Sequence, residues 1–465
     1  MRRKLNVSIT NWVYIRGVYP LLDRQKNSKL GERMSRYETR ERHTLADNAS
    51  TQWRELLALV QHAYDSTVFY RRRFQEAGLQ PRDIRTPRDF SQIPVLTRDD
   101  IREHLAELTS SSYPREQLLS SATGGTTDTP VRFVRDLRCL REKAAVQARF
   151  DAWAGMQPGD KTFYLWGARS DYSQNPSRRW LMYERHIMRR VWAPTSLLNP
   201  QVLESYRQSL NRFRPKIIYT YPTPLALLCE YLQETGLPCH HPSGIICTAE
   251  LLLDSQRQLV KQVMQCPIFE HYGAREFGMI AAECEAHQGL HFNPAAAYVE
   301  FVPVLGAEVE GLQEMLVTDL LNYGMPLIRY RINDCAVLSN EVCSCGRGYP
   351  LVRKITGRTT DTFYLPNGDV VPGVALTNRV LQVCPGVKKM QVIQETLEEF
   401  RIRYVPGAGM TAADLQLVRD NLRKFFPAGV RCQFEEVAEI AREASGKTRF
   451  CISRVRPQGL HAARV

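Results

Sequence analysis

The chain contains no apolar run near the ~18 residues that a bilayer-crossing helix needs, so a helical membrane-spanning protein is not expected. Cysteine is sparse, 12 in 465 residues, which excludes a small disulfide-stapled scaffold. With 27 glycines and 26 prolines the chain is not collagen-like. Acids are the scarcer charge: 49 Asp and Glu face 62 Lys and Arg, a net charge of +13. What is present is ordinary for a globular protein. Hydrophobic residues make up 43% and charged residues 24%, enough to bury large cores and too apolar for a disordered tail. At ~150 residues per domain, the length suits about three domains, or one large and one small.

A basic balance favours polyanionic partners such as nucleotides, coenzyme A, nucleic acid or an anionic membrane face. Part of the excess is local. The first fifty residues carry Arg2, Arg3, Lys4, Arg16, Arg24, Lys26, Lys29, Arg33, Arg36, Arg40 and Arg42 against five acids. This region reads as a solvated basic helix, with weak peripheral membrane contact through Trp12, Tyr14 and Tyr19 as the sharper alternative. Asn6, Ser8, Thr10, Asn11 and Arg16 interrupt any signal-peptide core, and no small-residue cleavage site follows. A cytoplasmic location is the default expectation. Cys139, Cys229, Cys247 and Cys432 sit singly in mixed or apolar surroundings and read as buried thiols.

Residues 51–77 show helical periodicity, with Leu56, Leu57, Val60 and Ala63 on one face. Pro81, Pro87 and Pro94 then punctuate turns. From about 137 onward, helical and strand patterns alternate: helices over 137–153, 200–213, 224–234 and 253–264, strands over 161–166, 216–220, 244–248 and 267–272. That alternation predicts an α/β fold, a large layered N-terminal domain. Strands near 297–304 and 314–320 add a β-rich portion. The composition shifts after Gly357-Arg358, and the remainder reads as a small α+β C-terminal domain joined by a hinge. The expected organisation is a basic extension over 1–50, a large domain over 51–358 and a small mobile domain over 359–465.

Five motifs bear chemistry. Ser120 to Pro130 contains Thr123-Gly124-Gly125-Thr126-Thr127, whose backbone N–H and hydroxyl groups could converge on phosphate oxygens. It lacks the Gly-Lys-Ser/Thr ending of a Walker loop and runs into a strand, 131–134. Alone, such a stretch is usually only a turn. His271-Tyr272-Gly273-Ala274-Arg275-Glu276 ends a strand, where open α/β sheets collect ligands. Thr318-Asp319-Leu320 precedes Arg329-Tyr330-Arg331-Ile332-Asn333-Asp334, a strand and Asn-Asp turn whose carboxylate could hold ribose hydroxyls. Gly357-Arg358-Thr359-Thr360-Asp361 marks the composition shift, and Ser445-Gly446-Lys447-Thr448-Arg449 lies near the end.

The order and spacing of these five stretches resemble the adenylate-forming superfamily of acyl-CoA synthetases, peptide-synthetase adenylation domains and luciferases. More narrowly they resemble its phenylacetate–coenzyme A ligase-like branch, including capsular-polysaccharide-associated members. The resemblance spans roughly residues 50–455. It implies an ATP-dependent, AMP-forming acid–thiol ligase. Thr123 to Thr127 would wrap the β/γ-phosphates, Glu276 would hold Mg²⁺, and Asp334 would bind the ribose hydroxyls with Arg358 close by. Tyr272 and Gly273 would line the adenine and acyl sites, with Glu250 at the nucleotide edge. Asp361 would be the hinge, and Lys447 would reach the carboxylate and α-phosphate. Asp128 and Asn333 replace common glycines, Thr360 a common acid, and Arg275 a common threonine. Asn tolerates the positive φ that a glycine there would supply.

Cys284, His291, Cys343 and Cys345 form a candidate Cys₃His zinc set, with His287 as the alternative nitrogen. The C-x-C spacing is tighter than usual and by itself leaves free thiols level with a metal site. The resemblance favours zinc, in a structural role.

The expected cofactors are therefore ATP, Mg²⁺, structural Zn²⁺ and coenzyme A or a carrier phosphopantetheine. A carboxylic acid and a thiol acceptor are the expected partners, and nucleic acid is not expected. One alternative is an amine or hydroxyl acceptor in cell-surface polysaccharide modification. Another is a non-catalytic basic binding protein on a degenerate scaffold. Tyr219, Tyr221 and Pro222 could border an acyl pocket, although aromatics at a strand end more often only pack.

Overall fold

The computed structural model describes residues 14–25, 28–122, 131–166, 177–195, 198–303, 312–339, 341–358, 362–366, 370–372, 386–407, 409–423, 426–427, 429–441 and 451–455. Its strands, in chain order, begin with the hairpin β1 (Leu118–Ala122) and β2 (Arg132–Asp136). The alternating region supplies β3 (Thr162–Trp166), β4 (Arg190–Pro194), β5 (Ile217–Thr220), β6 (Gly244–Thr248) and β7 (Ile268–Ala274). Then come β8 (Gly278–Glu283), β9 (Leu290–Phe292), β10 (Ala297–Pro303), β11 (Leu312–Asp319), β12 (Tyr330–Leu338) and β13 (Leu351–Arg358).

Strands β3 to β13 make one sheet of 11 strands in the order β10-β11-β12-β13-β9-β8-β7-β6-β5-β3-β4. The β7-β6-β5-β3-β4 half is parallel and the other half antiparallel. In the parallel half β5 and β6 are buried at every residue, which explains their unbroken apolar sequences, since helices cover both faces. The expected helices are present as Leu137–Trp153, Pro200–Phe213, Pro222–Thr235 and Asp254–Met264.

Two local readings are corrected. The single helix read over 51–77 is two, Leu45–Ser66 and Val68–Glu76. Thr67 between them is extended, and its hydroxyl oxygen accepts from the Tyr70 N–H while donating to the Ala63 carbonyl. This N-cap restarts the helix at an angle that buries Phe69, Tyr70 and Phe74. The basic N-terminal region is not simply solvated. On helix Leu30–Glu41, Arg33 and Arg36 grip Glu142, Tyr37 donates to the same carboxylate at 3.0 Å, and Arg40 holds Glu55 through two bonds. Arg42 and Lys29 match the solvated reading, with side chains 77% and 66% exposed. Cys139, Cys229 and Cys247 are buried as expected, whereas Cys432 is half-buried on the strand Arg431–Glu436, which lies at a sheet edge.

A smaller α/β unit follows. The short hairpin β14 (Thr362–Tyr364) and β15 (Val370–Pro372) precedes β16 (Val387–Gln394), β17 (Glu399–Pro406), β18 (Arg431–Glu436) and β19 (Cys451–Ser453). The last four pair in the order β18-β17-β16-β19. Helix Ala412–Arg423 lays Val418 and Leu422 into a core with Met390, Val392, Phe400 and Ile402.

Candidate active site

The helix Leu137–Trp153 is the organising element. Its N-cap Asp136 is buried and accepts from the Cys139 N–H at 2.8 Å. The other carboxylate oxygen of Asp136 accepts from the N–H groups of Tyr323 and Gly324, both at 3.1 Å, so one side chain fixes the helix start against the segment after β11. Gly324 must lack a side chain: a Cβ there would lie 2.7 Å from Leu118 and 3.1 Å from the Asp136 nitrogen.

One turn along, Lys143 occupies the buried stripe Cys139, Lys143, Val146, Phe150. Its ammonium donates to the Asp319 carboxylate at 2.6 Å and to the Glu276 carbonyl at 2.7 Å. The stem of Lys143 packs over Gly278, whose φ of +72° makes the turn into β8. Lys143 therefore ties the Tyr272–Glu276 motif to the Thr318–Leu320 motif.

Glu276 is buried, and one carboxylate oxygen accepts from the Tyr330 hydroxyl at 3.2 Å. Burial pushes the Tyr330 phenol up, the Glu276 charge adds to that, and Arg98 opposes it with its Nε 3.4 Å away. Burial holds the nearby Arg135 guanidinium below its usual range; Asp319 and Glu276 favour its charge, and Arg275 opposes it. The carboxylate pair is thus set among several cations.

Tyr272 donates to Asp334 at 2.7 Å, a charge-assisted bond spanning β7 and β12. Asp334 stands opposite Arg358 in the β12–β13 register. Asn333 adopts φ +63°, as its replacement of a glycine anticipated. A Cβ on Gly273 would come within 2.3 Å of the Gly278 carbonyl oxygen, so this hairpin closes only with glycine. Strand β6 ends at Thr248 opposite His271, and Glu250, two residues beyond, accepts from the Thr223 N–H at 3.1 Å. The structure thus brings Glu250, Tyr272, Gly273, Glu276 and Asp334 to the carboxyl ends of β6 and β7, where parallel strands place ligands. Thr123, Gly124, Gly125, Thr126, Thr127, Asp128, Asp361 and Lys447 lie outside the described residues. The strands on either side of the phosphate-loop candidate are described, and they pair antiparallel up to Ala122 and Arg132.

Tyr219 and Tyr221 are buried. Tyr219 stacks on Tyr164, which stacks on Trp192 with ring centroids 4.3 Å apart, and Trp166 lies against Tyr221. The packing role dominates. Beneath them, His271 Nδ1 faces the Tyr219 hydroxyl at 3.4 Å and Asp151 at 3.6 Å. Burial holds the His271 imidazole down at about 3 and pushes the Asp151 carboxyl up to about 8, so both are neutral near pH 7.

Away from this site, the ligand atoms of Cys284, His291, Cys343 and Cys345 all lie within 4.8 Å of one another. Cys284 and Cys343 sulfurs are 3.6 Å apart, and the Cys345 sulfur is 3.4 Å from His291 Nε2. His291 turns Nδ1 toward the Tyr349 carbonyl at 3.1 Å, leaving Nε2 for the cluster. His287 is not part of it. That ring pairs with Glu283 at 3.0 Å and lies against Phe269, which removes the alternative nitrogen.

Sequence reading missed Lys143, Arg98, Arg135 and the role of Tyr330. Lys143 carried a signal: a lysine on the apolar stripe of a helix that must bury that stripe.

The CapK C-terminal domain family matches residues 363–454. Protein CapK of Staphylococcus aureus is 22% identical over 394 residues, covering 84% of this chain and 86% of the relative. The phenylacetate-coenzyme A ligase of Thermus thermophilus is 28% identical over 359 residues, covering 75% and 79%. Among solved structures, 2-hydroxyisobutyryl-CoA ligase in the postadenylation state aligns with a TM-score of 0.71 at 21% identity, covering 89% of this chain and 91% of that one. At that identity the match speaks for the fold, with its large sheet-rich domain and smaller C-terminal α/β domain.

Proposed function

We propose that this chain, a homologue of CapK and the phenylacetate–coenzyme A ligases with the fold of the adenylate-forming CoA ligases, is itself an AMP-forming acid–thiol ligase. It joins a carboxylic acid to AMP with release of pyrophosphate, then passes the acyl group to the thiol of coenzyme A or a carrier. The observation that carries this reading is the convergence of Tyr272–Asp334 and Tyr330–Glu276 at the strand ends, in that fold.

The chemistry joins one anion to another, so positioning and positive charge dominate. Asp334, oriented by Tyr272, accepts from the ribose hydroxyls of ATP, with Arg358 opposite it. Thr123, Gly124, Gly125, Thr126 and Thr127 give the phosphate loop, and Glu250, Tyr272 and Gly273 border the nucleotide. Glu276 is the carboxylate that would hold Mg²⁺, which would offset the charge of the phosphates. Lys447 approaches the carboxylate and α-phosphate from the small domain, which turns about Asp361 so that Lys447 withdraws before the thiol attacks.

The Cys284–His291–Cys343–Cys345 cluster fits Zn²⁺. Its 3.4 and 3.6 Å donor separations suit a closed tetrahedron, and the Tyr349 carbonyl orients the histidine ring. The ion would be structural, pinning the loop after β8 to the loop before β13. Incubation with ATP, coenzyme A and a panel of carboxylic acids should give AMP and a thioester. AMP release that requires an amine or a sugar hydroxyl in place of the thiol would instead assign the alternative acceptor. No turnover with any acid would leave the non-catalytic basic binding protein on a degenerate scaffold.

A further inference from the structure

Helix Arg178–Met182 and its π-helical continuation Tyr183–Ile187 lead into the edge strand β4. This segment is seated by a single buried acid. Glu184 accepts two bonds from Arg190, at 2.8 and 2.9 Å, and a third from the Trp192 indole at 3.0 Å. With that residue turned inward, the outward face is unusual. Leu181, Met182, Tyr183 and Ile187 are 49%, 62%, 41% and 39% exposed. Arg178, Arg179 and Arg185 flank them, and the only acid between 178 and 190 is Glu184 itself.

The N-terminal helical segment reaches the same region. Tyr14 is buried against Gly159 and lies under the Arg189 guanidinium, 5.8 Å from ring centroid to charge. The helix that follows, Tyr19–Gln25, exposes Leu21 at 68%. Around Arg178–Ile187 cations and apolar side chains share one face, and the one acid of the 178–190 segment, Glu184, is buried.

We infer that the Arg178–Ile187 face is a peripheral docking surface for an anionic lipid bilayer, inserting Leu181 and Met182 while Arg178 and Arg179 meet the headgroups. Charge complementarity selects the occupant: a face with apolar side chains and exposed arginines that pair with no acid among the described residues matches lipid phosphates over an apolar interior. The surface differs from the basic first fifty residues with Trp12, Tyr14 and Tyr19, which the sequence alone nominated.

The test is co-sedimentation of the full-length protein with phosphatidylcholine vesicles with and without phosphatidylglycerol. The wild type should bind only the anionic vesicles. R178Q/R179Q should weaken binding about 30-fold, at about fivefold per arginine, and L181S/M182S should weaken it about tenfold. All these side chains are at the surface, so thermal unfolding should be unchanged. Absence of wild-type binding, or variants that bind as tightly as wild type, would overturn the inference. So would loss of binding in R2Q/R3Q/K4Q alone with the helix variants unaffected. A wild type that self-associates through this face without binding vesicles, and becomes monomeric in L181S/M182S, would also overturn it by assigning the face to a second copy of the chain.

Discussion

Replacing Lys143 by methionine tests how the two strand-end motifs are held together. The lysine and Asp319 side chains are 7% and 1% exposed and 2.6 Å apart. Methionine fills most of the same volume, so the change isolates the charge. Asp319 keeps the Leu321 N–H at 3.0 Å but loses its cation, and the Glu276 carbonyl loses its donor. Breaking a buried pair from one side costs about 3–5 kcal/mol, against a typical total stability of about 5–15 kcal/mol. Urea unfolding followed by tryptophan fluorescence should show the large-domain midpoint falling accordingly. Adding Asp319→Asn removes the stranded charge and should recover about half of the loss. Lys143→Met as stable as wild type, or a double variant no better than the single, would refute the reasoning.

Other predictions follow from the same geometry. Asp334→Asn should raise KM for ATP about 10- to 100-fold with a smaller change in kcat, because charge-assisted bonds to the nucleotide are lost, and Tyr272→Phe should do the same more weakly; equal effects on kcat alone would contradict this placement. Zinc analysis of the purified protein should find stoichiometric metal, with Cys343→Ser/Cys345→Ser losing it and unfolding at lower temperature; metal-free protein of unaltered stability would refute the site. The buried His271–Asp151 pair sets a pH dependence. The Asp151 carboxyl, near 8 when folded, keeps a proton that the unfolded chain gives up near 3.9, so its contribution falls as pH rises through that window. His271, near 3 when folded, stays neutral where the unfolded chain protonates below about 6.5, so its contribution falls as pH drops. The two slopes oppose each other below about 6.5, and the buried Glu270 carboxyl, pushed up to about 7, adds to the Asp151 slope around neutrality. The Asp151 contribution should itself fall by about 1–2 kcal/mol between pH 6.5 and 8, so the Asp151→Asn stability curve should be flatter than wild type by that amount; parallel curves would contradict it.

Much of the α/β alternation was legible because each element is uniform along its length. Helix Leu137–Trp153 and strand Gly244–Thr248 coincide with their sequence limits, being bounded by an Asp N-cap and by buried apolar runs. The break at Thr67 was not legible, since the apolar periodicity continues through it and only the hydroxyl's two local bonds reveal the bend. In the candidate site, Tyr272, Glu276 and Asp334 were readable from motif order. Their surroundings were not, because Lys143 and Tyr330 meet Glu276 through contacts 133 and 54 residues apart in the chain, and Arg98 meets Tyr330 through one of 232. The cysteine cluster shows the same division. Spacing nominated three cysteines and two histidines, and only the fold, by turning His287 onto Glu283, selected His291.

The central claim is acyl-adenylate formation with a lysine of the small domain supplying charge. Acid-dependent exchange of labelled pyrophosphate into ATP, measured for wild type and Lys447→Ala, tests it most directly. Exchange that requires a carboxylic acid and falls by orders of magnitude in Lys447→Ala is the predicted result. Exchange supported by no acid, or indifferent to Lys447, would contradict the account.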